Sequence, residues 1–145
     1  MAKSFKLEIV TPESIFYKGD AELVIVRTMD GDEGFMAGHT WACKLLNIGE
    51  IWIQEAGQSD FKVAASAHGF VDVKNEVMVF VDAAEWPGDI DLSRAQNEKE
   101  RAEAILNRRE KAVDQTDEEY LKAKISLNKA LNRMKVAKGG RRAKA

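Results

Sequence analysis

Ile90-Asp91-Leu92-Ser93-Arg94-Ala95 is where the periodicity of this 145-residue chain changes. Upstream, apolar and polar residues alternate, the period of a half-buried strand. Downstream, apolar residues recur at steps of three and four, the period of an amphipathic helix. Trp86-Pro87-Gly88 marks the break, because proline lacks a backbone donor and glycine readily leaves extended geometry. Asp91 stands at a helix N-cap position, where its carboxylate can accept a bond from a free amide of the first turn. On these residues alone Asp91 reads as a helix cap.

Working downstream, Leu92, Ala95, Ala102, Ile105, Leu106, Arg109 and Val113 lay a mildly apolar face on a first helix that ends around residues 114–117. Thr116 or Asp117 is expected to cap a second helix, with Glu118 and Glu119 near its positive end. Tyr120, Ala123, Leu127, Ala130, Met134 and Ala137 then form a narrow seam. Two such helices joined by a few residues predict an antiparallel hairpin. Its alanine-rich seam brings the helices close but buries little apolar area. A hairpin held so weakly is expected to dock on another surface and to undock from it. Gly139-Gly140 ends the second helix, leaving a loose basic tail.

Upstream, Phe5, Leu7 and Ile9 alternate along a first strand that Thr11-Pro12-Glu13 ends. Ser14–Tyr17 reads as a second short strand, turned by Lys18-Gly19-Asp20 into a third, β-branched strand over Ala21–Thr28. Asp30-Gly31-Asp32-Glu33-Gly34 reads as a glycine-bounded surface turn; it lacks the ligand series of a calcium loop. The stretch Trp41–Ile48 is ambiguous between strand and helical turn. Further strands are expected at Ile51–Ile53, Phe61–Ala65, His68–Val73 and Glu76–Val81. Strands spaced about every ten residues with turn signals between them predict a β-sandwich or barrel. Trp52 and Trp86 are expected in its core or rim. The fold class is therefore α+β: a β-sandwich over residues 1–88, a helical hairpin over 89–138, and a basic tail over 139–145.

Composition narrows the function. No apolar run reaches the roughly 18 residues of a membrane span, and the N-terminus lacks the apolar centre of a signal peptide. The single cysteine, Cys43, has no internal disulfide partner, which suits a reducing compartment, and reads as a small buried apolar residue. His39 reads as a packed or hydrogen-bonded histidine rather than a catalyst. No nucleophile–base–acid set, metal-spaced cluster or phosphate-cradling glycine loop appears, which disfavours an enzyme. The net charge of −2 hides an asymmetry. Up to Asp89 there are seven basic and fifteen acidic residues, a balance of −8; from Ile90 on, fifteen basic and nine acidic give +6. Such a split points to two modules, the second meeting an acidic partner: a nucleic acid, an acidic protein surface or an anionic nucleotide. A nucleic-acid module would want an interleaved aromatic platform, which this end lacks.

Phe5–Thr11 with Pro12-Glu13, Gly31…Gly34…Gly38-His39, Gly69-Phe70-Val71-Asp72-Val73, Ile90-Asp91-x-x-Arg94-Ala95 and Leu131-Asn132-Arg133-Met134 follow one another in a telling order. In that order and spacing the chain, over residues 3–138, resembles the epsilon subunit of F-type ATP synthases. The resemblance implies a ten-stranded sandwich followed by a helix hairpin. It implies a non-catalytic rotor subunit of the central stalk, peripheral to the cytoplasmic face of a bacterial plasma membrane. Its expected partners are the gamma subunit and the c-ring, met through the sandwich, with Asp30, Gly31, Asp32 and nearby His39 at the rotor contact. The alpha and beta catalytic subunits are expected to meet the helices, whose extension inhibits ATP hydrolysis. No cofactor is required, but ATP is a regulatory ligand of some members. The residues this recruits are Ile90, Asp91, Arg94, Arg101, Lys129 and Arg133, with Glu85 nearby. Arg94 and Arg101 share one helix face, as do Lys129 and Arg133. Four cations between two helices suit a triphosphate. The chain departs from the family where Ala37 and Trp41 replace usual prolines and Lys129 replaces an arginine typical of ATP-binding members.

Overall fold

The computed structural model describes residues 3–109 and 118–139. Nine strands come first: β1 Phe5–Val10, β2 Ile15–Thr28, β3 Gly31–Met36, β4 Ala42–Leu46, β5 Gly49–Glu55, β6 Phe61–Ser66, β7 Gly69–Val73, β8 Val77–Val81 and β9 Ala84–Glu85. A helical turn, Pro87–Asp89, leads into α1, Leu92–Arg109, and α2 spans Glu118–Ala137. The expected α+β order of sandwich then hairpin is therefore what the chain adopts. The helix ends and caps expected at residues 110–117, Val113 among them, and the tail from residue 140 lie outside the described residues.

The strand count differs from expectation for a physical reason. The two strands expected over residues 14–28 are one strand of 14 residues, β2. Lys18-Gly19-Asp20 does not turn the chain; it pairs straight through with Lys6, Leu7 and Glu8 of β1. Beyond it, register slips against β5 between Ala21 and Leu23. Such a bulge bends a strand and lets it pass from one layer to the next. The first half of β2 lies beside β1, and the second half lies between β3 and β5. Strands β1, β8, β7 and β4 form one run of neighbours, with β1 and β8 parallel, and β5, β6 and β9 form the other.

Alternation fills the space between the layers. Phe5, Leu7 and Ile9 of β1, Val24 and Val26 of β2, Phe35, Ile51 and Ile53, Val71 and Val73, and Val77, Val79 and Val81 make one core. The acidic segment 30–34 is only partly a turn, because Gly31 to Gly34 already pair with Thr28 to Ile25 in the β2–β3 hairpin. The ambiguous stretch at 41–48 is the strand β4, paired with β7. Cys43 lies on its outward side and is exposed, not buried, since Ala42 and Leu46 point the other way. Trp86 packs at the rim, stacked on Phe16 with ring centroids 4.5 Å apart.

The hairpin closes along its alanines. Ala95 and Ala102 of α1 and Ala123 and Ala130 of α2 are buried. Leu92, expected on the buried face, is exposed. Gly139 takes a φ of 97°, a left-handed cap that stops α2.

Candidate functional site: a charged interhelical cleft and an uncovered apolar row

The second helix rests on the outer face of β5 and β6. That is why β5 is buried on both faces over its first five residues. Ile90, Ala65 and Val136 form a small second core there. Polar contacts surround it. The Asn132 side-chain amide donates to the carbonyls of Gly49 and Ser66 at 2.9 and 3.4 Å. Glu50, 6% exposed, accepts the Trp52 indole N–H at 2.6 Å. Its other oxygen has no hydrogen-bond partner among the described residues and faces the Lys135 ammonium at 3.5 Å. Trp52, expected in the core or rim of the sandwich, is buried on the face of β5 opposite Ile51 and Ile53, beside Glu50 and Lys135.

Asp91 caps α1: its Oδ1 accepts the backbone N–H of Arg94 at 3.0 Å. Arg94 Nε donates to Glu98 Oε1 at 3.3 Å, and Arg133 Nη1 donates to Glu98 Oε2 at 3.2 Å. Arg133 also grips Glu85, Nε to Oε1 at 2.7 Å. An open cleft of about 720 Å³ lies between the helices, its charged lining being Arg101, Lys122 and Lys129 together with Glu98, Glu118 and Glu119. A smaller recess of about 60 Å³ adjoins it, lined by Glu85, Lys129, Asn132 and Arg133 among others. Of the residues singled out for a nucleotide, Arg101 and Lys129 thus share the large cleft, and Lys129 and Arg133 share the recess. Ile90, Asp91 and Arg94 line neither. Lys122 and Glu98 were not singled out for it; their heptad spacing from Lys129 and their helical spacing from Arg94 were the available signals.

The residues expected at the rotor contact are split between two ends of β3. Asp30 and Gly31 form the β2–β3 turn, where Gly31 has a φ of 117°. His39 follows the other end, its ring edge-on to Phe35 at 4.8 Å and its Nδ1 2.6 Å from the Thr40 carbonyl oxygen. Four strand steps, about 13 Å, separate Gly31 from Phe35, so His39 lies near the Glu33 end of the acidic segment, where its charge adds to the Lys44 contact in lowering the Glu33 carboxyl, and away from Asp30 and Gly31. The acidity of that turn is also largely paired in place. Asp32 bonds Arg27, and Glu33 bonds Lys44, which holds the Glu33 carboxyl below the usual range.

Sequence reading missed an apolar row across the sandwich. Val10 aligns with Phe80, Phe80 with Phe70, and Phe70 with Leu45, across four adjacent strands. The two phenylalanine rings stack at 4.8 Å, yet Phe70 is 40% and Leu45 67% exposed. Met29, whose amide donates to the Leu45 carbonyl, extends the row toward Asp30 and is exposed too. The alternation of β7 and β8 contained the signal, since Phe70 and Phe80 fall out of phase with the valines.

A nine-stranded β domain carrying an uncovered apolar face, followed by a long helix pair, defines the class. Residues 4–87 match the family described as "ATP synthase, Delta/Epsilon chain, beta-sandwich domain", and residues 89–138 match its "long alpha-helix domain". The chain belongs to the family of ATP synthase epsilon chains. It is 40% identical over 139 residues to the epsilon chain of Alkaliphilus metalliredigens, covering 95% of this chain and 98% of that one. To the epsilon chain of Caldicellulosiruptor bescii it is 38% identical over 134 residues, covering 92% and 93%. Its fold is similar to a chain of the Euglena gracilis mitochondrial ATP synthase OSCP/F1/c-ring assembly, with a TM-score of 0.72 at 19% identity over 86% of this chain and 76% of that one.

Proposed function

We propose that this chain is a non-catalytic central-stalk subunit that ties the catalytic head to the c-ring and restrains ATP hydrolysis through its helices. The observation that carries the reading is the apolar row Val10–Phe80–Phe70–Leu45. An exposed contiguous apolar face on a folded domain is costly unless a partner covers it. The gamma subunit is the proposed occupant. The Asp30-Gly31-Asp32 turn at the end of that row and His39 at the far end of β3 face the c-ring. Such a subunit is peripheral, on the cytoplasmic side of a bacterial plasma membrane, and touches the membrane only through the complex. The test is Leu45→Asp with Phe70→Asp in the assembled complex. Both side chains point outward, so the isolated chain should fold as before and fail to copurify with gamma. Undiminished copurification would overturn the reading.

The hairpin is the proposed regulatory element. Its docking on β5 and β6 is local and largely polar, as a surface that must part and reform would require. ATP is the proposed ligand of the folded state, held between Arg101 and Lys129 with Arg94, Arg133, Ile90 and Asp91 around it. A cleft of about 720 Å³ is in the range of small-molecule sites. A ligand bound only to the docked form stabilises it by about 2.7 kcal/mol at a hundredfold excess over Kd. That is enough to shift a hairpin with an alanine seam. Titration of the isolated chain with ATP should slow hydrogen exchange in α2; no slowing at millimolar ATP removes ATP from the reading.

A further inference from the structure

A carboxylate of this chain already sits between the arginines that a phosphate would have to reach. Glu98 projects from α1, and its two oxygens are divided between the two helices. Oε1 accepts from Arg94 on its own helix at 3.3 Å, and Oε2 accepts from Arg133 on α2 at 3.2 Å. Glu98 also lines the cleft that holds Arg101 and Lys129. Arg101 and Lys129, by contrast, have no ion pair among the described residues. Of the cleft's own cations Lys122 pairs with Glu118, while Arg94 and Arg133 beside the cleft are the two that Glu98 holds.

We infer that Glu98 is an internal competitor that sets how tightly the interhelical cleft takes a polyphosphate. This rests on the nucleotide reading for the place of the ligand. The chemistry is an exchange of like for like. A carboxylate and a phosphate present the same kind of anionic oxygen to a guanidinium. Both cannot hold the same Nη1 group of Arg133. A triphosphate that entered with Glu98 in place would meet its negative charge as well as the cations. The competitor is also removable. The Glu98 side chain is 35% and that of Arg94 73% exposed, so Glu98 can swing into water without losing a buried environment. Ion pairs at that exposure are weak. Arg133 does not need Glu98 to stay in place, because Glu85 holds it through Nε and Nη2 and leaves Nη1 for the incoming anion. Glu98 thus lowers affinity without blocking the cleft, and a high ligand concentration displaces it.

The test is calorimetric titration of the full chain, at fixed ionic strength, with inorganic tripolyphosphate and with ATP. Wild type is compared with Glu98→Gln, Glu98→Asp and Glu100→Gln. Glu100 lies on the same helix, bonds Gln96 and is absent from the cleft. It controls for the loss of one negative charge. Glu98→Gln should bind tripolyphosphate about fivefold tighter than wild type, which corresponds to about 1 kcal/mol, the top of the range for an exposed ion pair. Glu98→Asp, which shortens the arm and keeps the charge, should fall between, and Glu100→Gln should stay within twofold. Circular dichroism reports the helices of each variant. If Glu98→Gln loses them, Glu98→Asp decides, and no gain there overturns the inference. A gain below twofold for Glu98→Gln, an equal gain for Glu100→Gln, or no tripolyphosphate binding by either wild type or Glu98→Gln would each overturn it. If tripolyphosphate gains as expected but ATP binds no tighter than tripolyphosphate, the competitor stands and the nucleotide reading falls.

Discussion

Arg133 on α2 holds Glu85 on β9 with two arms of its guanidinium, Nε to Oε1 at 2.7 Å and Nη2 to Oε2 at 3.3 Å. The pair spans 48 residues of sequence and ties the last helix to the last strand. The Arg133 side chain is only 17% exposed, so water screens the contact little, and the paired geometry suits an arginine better than a lysine. The residue expected to be a ligand contact is a clasp between sandwich and hairpin.

Arg133→Ala should therefore loosen the hairpin first. It removes hydrogen bonds to two carboxylates and leaves Glu85 partly buried without its cation, at a cost of about 2 kcal/mol. Asn132→Ala, which frees the carbonyls of Gly49 and Ser66, should cost about 1 kcal/mol. Hydrogen exchange reads both: α2 amides should speed up while core amides of β1 and β8 do not. Equal acceleration everywhere would show that the clasp supports the whole molecule instead.

Gly69→Ala should destabilise the sandwich. Gly69 opens β7 opposite Val81, and a Cβ placed there would lie 1.8 Å from the Phe80 carbonyl oxygen. The neighbour is backbone, so it cannot turn aside, and strand β8 must shift. The expected loss is about 3 kcal/mol, the upper range for overpacking, read by urea denaturation. A change within 0.5 kcal/mol, the usual range for an uninvolved surface site, would mean the strands have more slack than their register implies.

Acid should weaken the fold through Glu33 and Glu55. The Lys44 ammonium holds the Glu33 carboxyl below its ordinary value. The Tyr17 hydroxyl, then Lys62, does the same for Glu55. Burial, then Glu55 itself, pushes the Tyr17 hydroxyl up, so it remains the donor, at 2.8 Å. A carboxyl whose folded pKa is lowered contributes stability above its unfolded pKa and loses it as pH falls through the folded one. The melting temperature should thus drop on acidification below about pH 4.5, the region of free glutamate. Glu33→Gln with Glu55→Gln should flatten that drop while leaving the curve above pH 6 parallel to wild type. An unchanged acid slope would place the lost stability elsewhere.

The sequence by itself determined the division of this molecule. The change of period at Ile90–Ala95 separates strands from helices because each must bury one face, and only one spacing does so in each geometry. The core residues of β1, β7 and β8, the alanine seam and the Asp91 cap were all legible on those grounds. They depend on neighbours within a few residues. The order of the motifs was enough to name the family.

Tertiary structure decided what depends on distant partners. Gly19 and Asp20 have the chemistry of a turn, but pairing with β1 keeps β2 running through them. Cys43 has the chemistry of a core residue, but strand phase turned it outward. Phe70, Phe80 and Leu45 are scattered in sequence and become one surface only when β8, β7 and β4 align. The cations of the hairpin share faces by helical spacing alone, yet which of them are already paired was set by Glu85 and Glu98. Glu85 lies on a strand 48 residues from Arg133, and no local periodicity records such a pairing. A charge in sequence is only a capacity to bind, and the fold decides whether its partner is already inside the molecule.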